Sequence, residues 1–202
     1  MSTNDYTFKI CVCGDKNVGK SCLIKQYFEK VFEEQQPTIG IECQTKELEI
    51  DSGIKVKTMV WDTSGDPKYK EIFPQFFKGA HGVILAYDIT SLQSFERMIE
   101  YYVEIRNICG ENVVILLSGN KADLSINREV SIAKAEAFAF DNKMAFMETS
   151  AKCSINVQEA FMMIAKGIYM SRNKEAGGNR SKKEWCSRAH AVFYEESKCY
   201  IR

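Results

Sequence analysis

The chain has 202 residues, a length that fits one domain with a tail and is short for two domains. Hydrophobic residues make up 45% and charged residues 27%, which are ordinary globular values and argue against disordered, collagen-like and coiled-coil classes. The 27 basic and 27 acidic side chains cancel, so no general electrostatic attraction to nucleic acid is expected.

The cysteines and the N-terminal residues indicate a compartment. The 8 cysteines are scattered without a CxxC pair, which argues against zinc or redox chemistry. No apolar stretch approaches the roughly 20 residues of a membrane span. The first residues, MSTNDYTFKI, carry neither the basic nor the hydrophobic segment of a secretory signal. We therefore expect free thiols and a reducing, cytosolic environment.

Apolar runs of strand length alternate with amphipathic segments of helix length along the chain. Strands are predicted at 8–13, 41–50, 54–61, 83–88, 113–120 and 145–150. Helices are predicted at 21–30, 91–109, 131–141 and 156–170. Asp51-Ser52-Gly53 indicates a hairpin turn, whereas the continuous apolar runs are typical of parallel strands buried on both faces. The pattern predicts an α/β fold, a mostly parallel six-stranded sheet with one antiparallel strand and helices on both faces.

The composition changes after Met170. Residues 171–185 are polar, basic and contain glycine, in contrast to the apolar stripe of the preceding helix. We therefore predict a compact domain at 1–170 and a basic C-terminal tail at 171–202.

A phosphate-binding motif follows the first strand. Residues 14–21 read GDKNVGKS and fit the pattern G-x-x-x-x-G-K-S/T, whose glycines let backbone N–H groups wrap around a polyphosphate. The following helix adds the positive end of its dipole. Lys20 is expected to reach the β- and γ-phosphates, and the Ser21 hydroxyl to bind Mg²⁺. The nucleotide-binding residues predicted here are Asp15, Lys16, Asn17, Val18, Gly19, Lys20, Ser21 and Cys22.

Two further motifs follow the last two strands, at the sheet edge where ligands bind. Residues 120–123 read NKAD, and the Asp123 carboxylate can accept two hydrogen bonds from guanine, which adenine cannot offer as a pair. Residues 148–152 read ETSAK and are expected to close the base pocket with backbone N–H groups. Together these motifs predict GTP and GDP as ligands and disfavour a P-loop kinase or ATPase.

Two loops carry the remaining metal and phosphate candidates. Asp62, in the motif WDTSG, is expected to hold Mg²⁺ through water, and the Gly65 N–H to bond the γ-phosphate. Thr38, in the motif PTIG, offers a second hydroxyl to the metal. Ser21, Thr38 and Asp62 are therefore the predicted metal set. Both loops can order around GTP and relax once the γ-phosphate is lost.

The motifs GDKNVGKS, PTIG, WDTSG, NKAD and ETSAK, in this order, resemble those of a small GTPase of the Ras superfamily. Residues 39–43 (IGIEC), 76–80 (FFKGA) and 85–90 (LAYDIT) are similar to the Rab family in particular, and the resemblance covers 7–170. It implies a P-loop small G domain that acts as a GDP/GTP- and Mg²⁺-dependent switch in vesicle trafficking. The implied partners are effectors, an exchange factor and an activating protein. We expect a monomer with no nucleic-acid partner.

The resemblance implies roles for individual residues. Lys20, Ser21 and Thr38 match the phosphate and Mg²⁺ positions, with Asp62 in the outer metal shell. Phe32 resembles the aromatic residue that covers the base, although its interval to Thr38 is one residue shorter than usual. The positions that match the family's guanine pocket are Asn120, Lys121, Asp123, Ser150, Ala151 and Lys152.

Two departures from the family concern hydrolysis. Asp66, followed by Pro67, stands where the family has the glutamine that orients the attacking water, which predicts slow hydrolysis. Lys16 stands where the phosphate loop usually has a small residue, and it either stabilises transition-state charge or obstructs an activating protein. Asp66, Lys20 and Lys16 are thus the candidate catalytic residues. A hydrolysis-deficient GTP-binding scaffold and another signalling GTPase of the superfamily remain alternatives.

A third departure concerns membrane attachment. Rab proteins carry paired C-terminal cysteines, whereas the last residues here are Cys199-Tyr200-Ile201-Arg202, with C-a-a-X spacing but an unusual final residue. Cys199 is therefore either lipidated or an unmodified cysteine in a polar tail. Lipidation, together with the basic tail, would bring the protein to the cytosolic face of intracellular membranes.

Overall fold

The computed structural model describes residues 6–33, 38, 40–51, 53–65 and 73–175. Asp66, Pro67, Ser52 and the tail with Cys199 lie outside the described residues. The strands are β1 (Tyr6–Cys13), β2 (Ile41–Asp51), β3 (Ile54–Thr63), β4 (Gly82–Asp88), β5 (Val114–Asn120) and β6 (Ala145–Glu148). The helices are α1 (Lys20–Glu29), α2 (Phe73–Phe77), α3 (Leu92–Cys109), α4 (Ile132–Asp141) and α5 (Val157–Glu175), with a 3₁₀ helix at Ala122–Asn127.

The six strands form one sheet in the order β2-β3-β1-β4-β5-β6. β2 and β3 pair antiparallel, as the predicted hairpin requires, and the other neighbouring strands pair parallel. Every residue of β4 and β5 is buried, as expected for strands covered on both faces. The predicted α/β class with one antiparallel strand is confirmed.

Successive side chains of β1 point to opposite faces of the sheet and belong to two different hydrophobic layers. Phe8, Ile10 and Val12 pack in the layer that contains residues of α1 and α5. Cys11 and Cys13 pack in the opposite layer, with residues of α2, α3 and α4. The strand period of two thus divides the helices between the faces of the sheet.

Helix ends differ from the sequence expectation for identifiable reasons. α3 and α4 begin one residue late because Ser91 and Ser131 are N-caps, whose hydroxyls accept backbone N–H bonds of 3.2 Å. α5 continues to Glu175, beyond the predicted end at Met170. Arg172 on this extension lies 5.9 Å above the Phe8 ring. The change in composition at Met170 therefore marks the end of the apolar stripe, not the end of the helix.

The thiols in the described part of the chain are all free, in agreement with the sequence expectation for those positions. Burial raises the pKa of Cys11 to about 12, so this thiol is inert as a nucleophile. Across the described residues, none of the helices combines the length and apolar character needed to cross a bilayer.

Candidate functional site

The loops at the carboxyl ends of β1, β3, β5 and β6, together with the start of α1, surround a cavity of about 610 Å³. This volume lies within the range of about 300–1,000 Å³ that is usual for small-molecule sites. Four of the lining side chains are lysines and one is an aspartate, so the cavity favours an anion. It is lined by Lys16, Asn17, Gly19, Lys20, Ser21, Cys22, Phe32, Thr38, Ser64, Gly65, Asn120, Lys121, Asp123, Leu124, Ala151 and Lys152.

The loop between β1 and α1 leaves the helix N-terminus open to a ligand. Gly19 is the N-cap with φ 91°, and none of the described side chains caps α1. A Cβ at Gly19 would lie 2.5 Å from Asn120 Nδ2, so a larger residue cannot occupy this position without displacing that side chain. The first N–H groups of α1 therefore remain for an external acceptor, as phosphate-binding helix termini require.

Lys20 is a buried cation at the base of this loop. It is 6% exposed, and its Nζ donates hydrogen bonds to the carbonyl oxygens of Gly14 at 3.0 Å and Asp15 at 2.8 Å. Burial lowers the pKa of Lys20, because the interior disfavours the charged form. The two carbonyls use two of the three N–H donors of the ammonium group and hold the side chain beside the cavity. The third N–H group can donate a hydrogen bond to a ligand.

Three oxygen-bearing side chains meet at the start of α1. Ser21 Oγ lies 2.8 Å from Thr38 Oγ1, and both hydroxyls donate to Asp62 Oδ2, at 2.5 Å and 3.3 Å. Asp62 Oδ1 is buried and has no hydrogen-bond partner among the described residues. Burial raises the pKa of Asp62, and the Ser21 and Thr38 hydrogen bonds oppose that rise. Hydroxyl and carboxylate oxygens with one orphaned acceptor fit Mg²⁺, which commonly takes one or two carboxylates together with phosphate oxygens.

The opposite end of the cavity carries the aspartate. Ser150 Oγ donates to Asp123 Oδ1 at 2.5 Å, which fixes the orientation of that carboxylate. Lys121 Nζ pairs with Asp88 Oδ2 at 2.5 Å, and Lys121 itself adopts a left-handed backbone conformation with φ 63°. The strand ends and the 3₁₀ helix thus place an oriented carboxylate in the same cavity as the α1 N-terminus.

The structure separates the predicted site residues into two groups. Asp15, Val18, Asp62 and Ser150 do not line the cavity and are all at least 94% buried. Ser150 orients Asp123, and Asp62 contacts the hydroxyls of Ser21 and Thr38. Every other predicted nucleotide-binding residue lines the cavity, with Phe32 at its rim and 37% exposed. Asp66, one of the predicted catalytic residues, lies outside the described residues.

Two lining residues were absent from the sequence prediction. Ser64 lies inside the WDTSG motif, and Leu124 follows the NKAD motif directly. Their position within or beside these motifs is the signal that could have identified them. Leu124 is 40% exposed despite being apolar, as expected for a side chain that faces a ligand site.

Comparison with known proteins gives consistent matches. The model of the Ras family matches residues 9–170, a range that includes every residue lining the cavity. Rab-4A of Rattus norvegicus is 40% identical over 167 residues, 82% of this chain and 76% of that protein. Rab-4A of Homo sapiens is 39% identical over the same length. RABD2a of Arabidopsis thaliana is 37% identical over 179 residues, 88% of each chain.

Proposed function

The chain belongs to the Ras family of small GTPases, with Rab proteins as its relatives, and on this basis we propose a GDP/GTP- and Mg²⁺-dependent switch with slow intrinsic GTP hydrolysis. The process is vesicle trafficking, as for the Rab family. One observation carries the proposal: a single cavity joins an uncapped helix N-terminus, a hydroxyl–carboxylate oxygen cluster and a fixed aspartate.

The proposed roles follow the chemistry of each end of the cavity. The α1 N-terminus and Lys20 bind the phosphates, since both offer unsatisfied N–H donors and positive potential. Ser21 and Thr38 hold Mg²⁺, and Asp62, which accepts hydrogen bonds from both hydroxyls, lies in the outer metal shell. A Mg²⁺ ion held there would supply positive charge that neutralises the phosphates. Asp123 reads the guanine edge, and Phe32 at the rim covers the base.

The proposal of slow hydrolysis depends on Asp66 and Lys16. A carboxylate at position 66 accepts a hydrogen bond from water but cannot donate one toward the γ-phosphoryl oxygens. Lys16 lines the cavity and belongs to the phosphate loop, which supports a place for it at the phosphate end of the proposed site. Asp66 in place of the family's glutamine also favours a second candidate function, a GTP-binding scaffold that hardly hydrolyses its nucleotide. Single-turnover hydrolysis separates the two.

Displacement of fluorescent GDP from the purified protein tests the ligand assignment. We expect GTP and GDP to displace the probe, ATP to leave it bound, and chelation of Mg²⁺ to speed its release.

Ser21→Asn is expected to shift the nucleotide preference of the protein toward GDP, because the amide is a poor Mg²⁺ ligand and the GTP state needs the metal. Ser131→Asn is the matched control, since asparagine also serves as an N-cap and Ser131, the N-cap of α4, does not line the cavity. Displacement by ATP as well as GTP would contradict the proposal.

Membrane contact through the tail is a separate part of the proposal. One lipid chain anchors only marginally, so a lipid on Cys199 needs the electrostatic help of the basic tail, at about 1 kcal/mol for each cation near an anionic surface. The tail cations proposed for this contact are Arg172, Lys174, Arg180, Lys182, Lys183 and Arg188. Cys199→Ser is expected to lower membrane recovery of the protein in cells, whereas Cys153→Ser, at an exposed thiol of the domain, is not. Intact mass from the native cell reports the lipid directly.

The partners proposed are effectors that bind the GTP state, an exchange factor and an activating protein. Retention of proteins by the GTP-loaded form, and not by the GDP-loaded form, identifies the effectors.

A further inference from the structure

The phosphate loop contains a buried carboxylate that is neutralised from a distant helix. Asp15 is 6% exposed, and its Oδ1 accepts the backbone N–H of Lys16 at 2.8 Å. Arg97, on α3, donates from Nη1 to Asp15 Oδ1 and Oδ2 at 3.0 Å each. The guanidinium is therefore the charge partner of a side chain 82 positions earlier in the chain.

The peptide between Asp15 and Lys16 is also where two other parts of the site meet. Lys20 Nζ donates to the Asp15 carbonyl at 2.8 Å. A Cβ at Gly65 would lie 2.6 Å from the Asp15 carbonyl carbon, from Lys16 N and from Lys20 Nζ, so the close approach of this loop requires glycine. A displacement of this peptide would therefore disturb its contacts with Lys20 and with Gly65 of the WDTSG loop.

A buried carboxylate in a polyphosphate site carries two costs. An unpaired charge away from water is strongly destabilising, and a negative charge beside phosphates repels them. Arg97 offsets both costs without lining the cavity, because the carboxylate with which it pairs does not line the cavity either. Its side chain is 37% exposed, so solvent screens part of its charge, and the effect on a ligand is expected to be moderate.

We propose that Arg97 is a positioning residue for the terminal phosphate of GTP. It neutralises Asp15 and holds the Asp15–Lys16 peptide against Gly65, whose N–H is expected from the sequence to bond the γ-phosphate. The inference rests on the proposed function for the identity of the ligand. Because Gly65 contacts the same peptide, loss of Arg97 weakens GTP binding more than GDP binding.

Four variants test this role in equilibrium competition against fluorescent GDP with Mg²⁺ present. Arg97→Met is expected to lower the ratio of GTP affinity to GDP affinity about tenfold, equivalent to ~1.4 kcal/mol. Arg97→Lys should retain most of the ratio, because it keeps the charge. Asp15→Asn in the Arg97→Met background should restore it, since no carboxylate then remains to be neutralised. Arg106→Met is the matched control on the same helix, where Arg106 donates to the carbonyls of Gly110 and Val113.

The outcomes separate this role from a structural one and from failure of the proposed function. If Arg97→Met and Arg106→Met both lower the melting temperature but leave the affinity ratio unchanged, Arg97 only stabilises α3 and the inference is wrong. The inference is also wrong if Asp15→Asn fails to restore the ratio. If the wild-type protein binds neither guanine nucleotide, the proposed function fails, and the role of Arg97 fails with it. A variant that does not fold is replaced by Arg97→Gln, which keeps a hydrogen-bond donor but no charge.

Discussion

The side-chain amide of Asn120 donates a 2.8 Å hydrogen bond to the carbonyl of Val18, joining two segments 102 positions apart. Asn120 is 1% exposed, and its Oδ1 accepts the Thr149 hydroxyl at 3.3 Å. The phosphate loop, the end of β5 and the segment after β6 are thus linked through one buried side chain. This side chain therefore holds the two ends of the cavity in a fixed relation.

Asn120→Ala is therefore expected to affect stability and nucleotide affinity together. Removing the amide leaves the buried Val18 carbonyl without this donor, at a cost of about 1–3 kcal/mol in the free energy of unfolding. Nucleotide dissociation should become faster, because the loop is no longer tied to β5. Denaturant unfolding and release of fluorescent GDP measure the two effects.

Asn142→Ala is the control for that substitution. The Asn142 amide donates a bond of the same length, 2.8 Å, to the Phe138 carbonyl at the end of α4, away from the cavity. This half-buried bond is expected to be worth about 1 kcal/mol in unfolding, with no change in nucleotide release. Equal changes in release for the two variants would contradict the link through Asn120.

Asp123→Asn tests the guanine assignment. The substitution replaces an oxygen acceptor by an amide donor, so guanine loses a hydrogen bond while the additional carbonyl of xanthine gains one. We expect weaker binding of GTP and measurable binding of xanthosine triphosphate in competition assays. Asp141→Asn, at an exposed position on α4, should change neither. Unaltered guanine affinity in Asp123→Asn would show that this carboxylate does not read the base.

The strands were predictable because each one has a local signal. The apolar runs of β4 and β5 and the alternating pattern around residues 51–53 specify buried and hairpin strands within a few residues. Motif residues such as Lys20 and Asp123 were predictable for the same reason, since the ligand that a motif binds sets the residue types and the spacing of that motif. α2 was not predicted, because its five residues are too few to show a helical period.

Pairings across the fold could not be predicted from local patterns. Arg97 lies on a helix whose sequence indicates only an amphipathic face, and nothing near it points to Asp15. The contact of Ser150 with Asp123 likewise depends on β5 and β6 being neighbours, which sets two loops side by side at one sheet edge. Such contacts follow from strand order, and strand order depends on packing of the whole domain.

His81 predicts a pH dependence of stability. Its Nδ1 accepts the Lys9 backbone N–H at 2.8 Å, which requires that nitrogen to be unprotonated. Burial lowers the pKa of His81 below its ordinary value of 6.5, and the nearby charges of Arg172 and Lys9 lower it further. The unfolded chain thus binds the proton more readily, so this stabilisation is present above about pH 6.5 and is lost as the pH falls toward the folded-state pKa.

His81→Asn isolates this effect, because asparagine keeps an acceptor and does not titrate. The loss of unfolding free energy between about pH 7.5 and pH 5.5 is expected to be smaller in this variant than in the wild type. His190→Asn removes the other histidine of the chain and serves as the comparison for the loss of one imidazole. Identical pH profiles for wild type and His81→Asn would contradict the assignment.

The hydrolysis rate tests the chemistry of Asp66 and Lys16. Phosphoryl transfer needs little beyond positioning and charge stabilisation, so the residue that orients water matters strongly. An ionised Asp66 accepts from water but cannot donate, adds negative charge to an anionic transition state, and has a shorter side chain than glutamine. We expect turnover at or below about 10⁻⁴ s⁻¹, the unassisted scale of Ras, measured by single-turnover hydrolysis of bound GTP.

Asp66→Gln and Lys16→Gly separate the two contributions. Asp66→Gln is expected to raise the single-turnover rate, because the amide supplies both the acceptor and the donor that the water requires. Lys16→Gly is expected to restore the response to an activating protein, because glycine removes the side chain that we expect to obstruct an incoming arginine. Lys152→Gly, at the base end of the same cavity, serves as the control for loss of a lining cation. A fast wild-type rate that Asp66→Gln leaves unchanged and Lys16→Gly abolishes would show instead that Lys16 stabilises the transition state from within the chain.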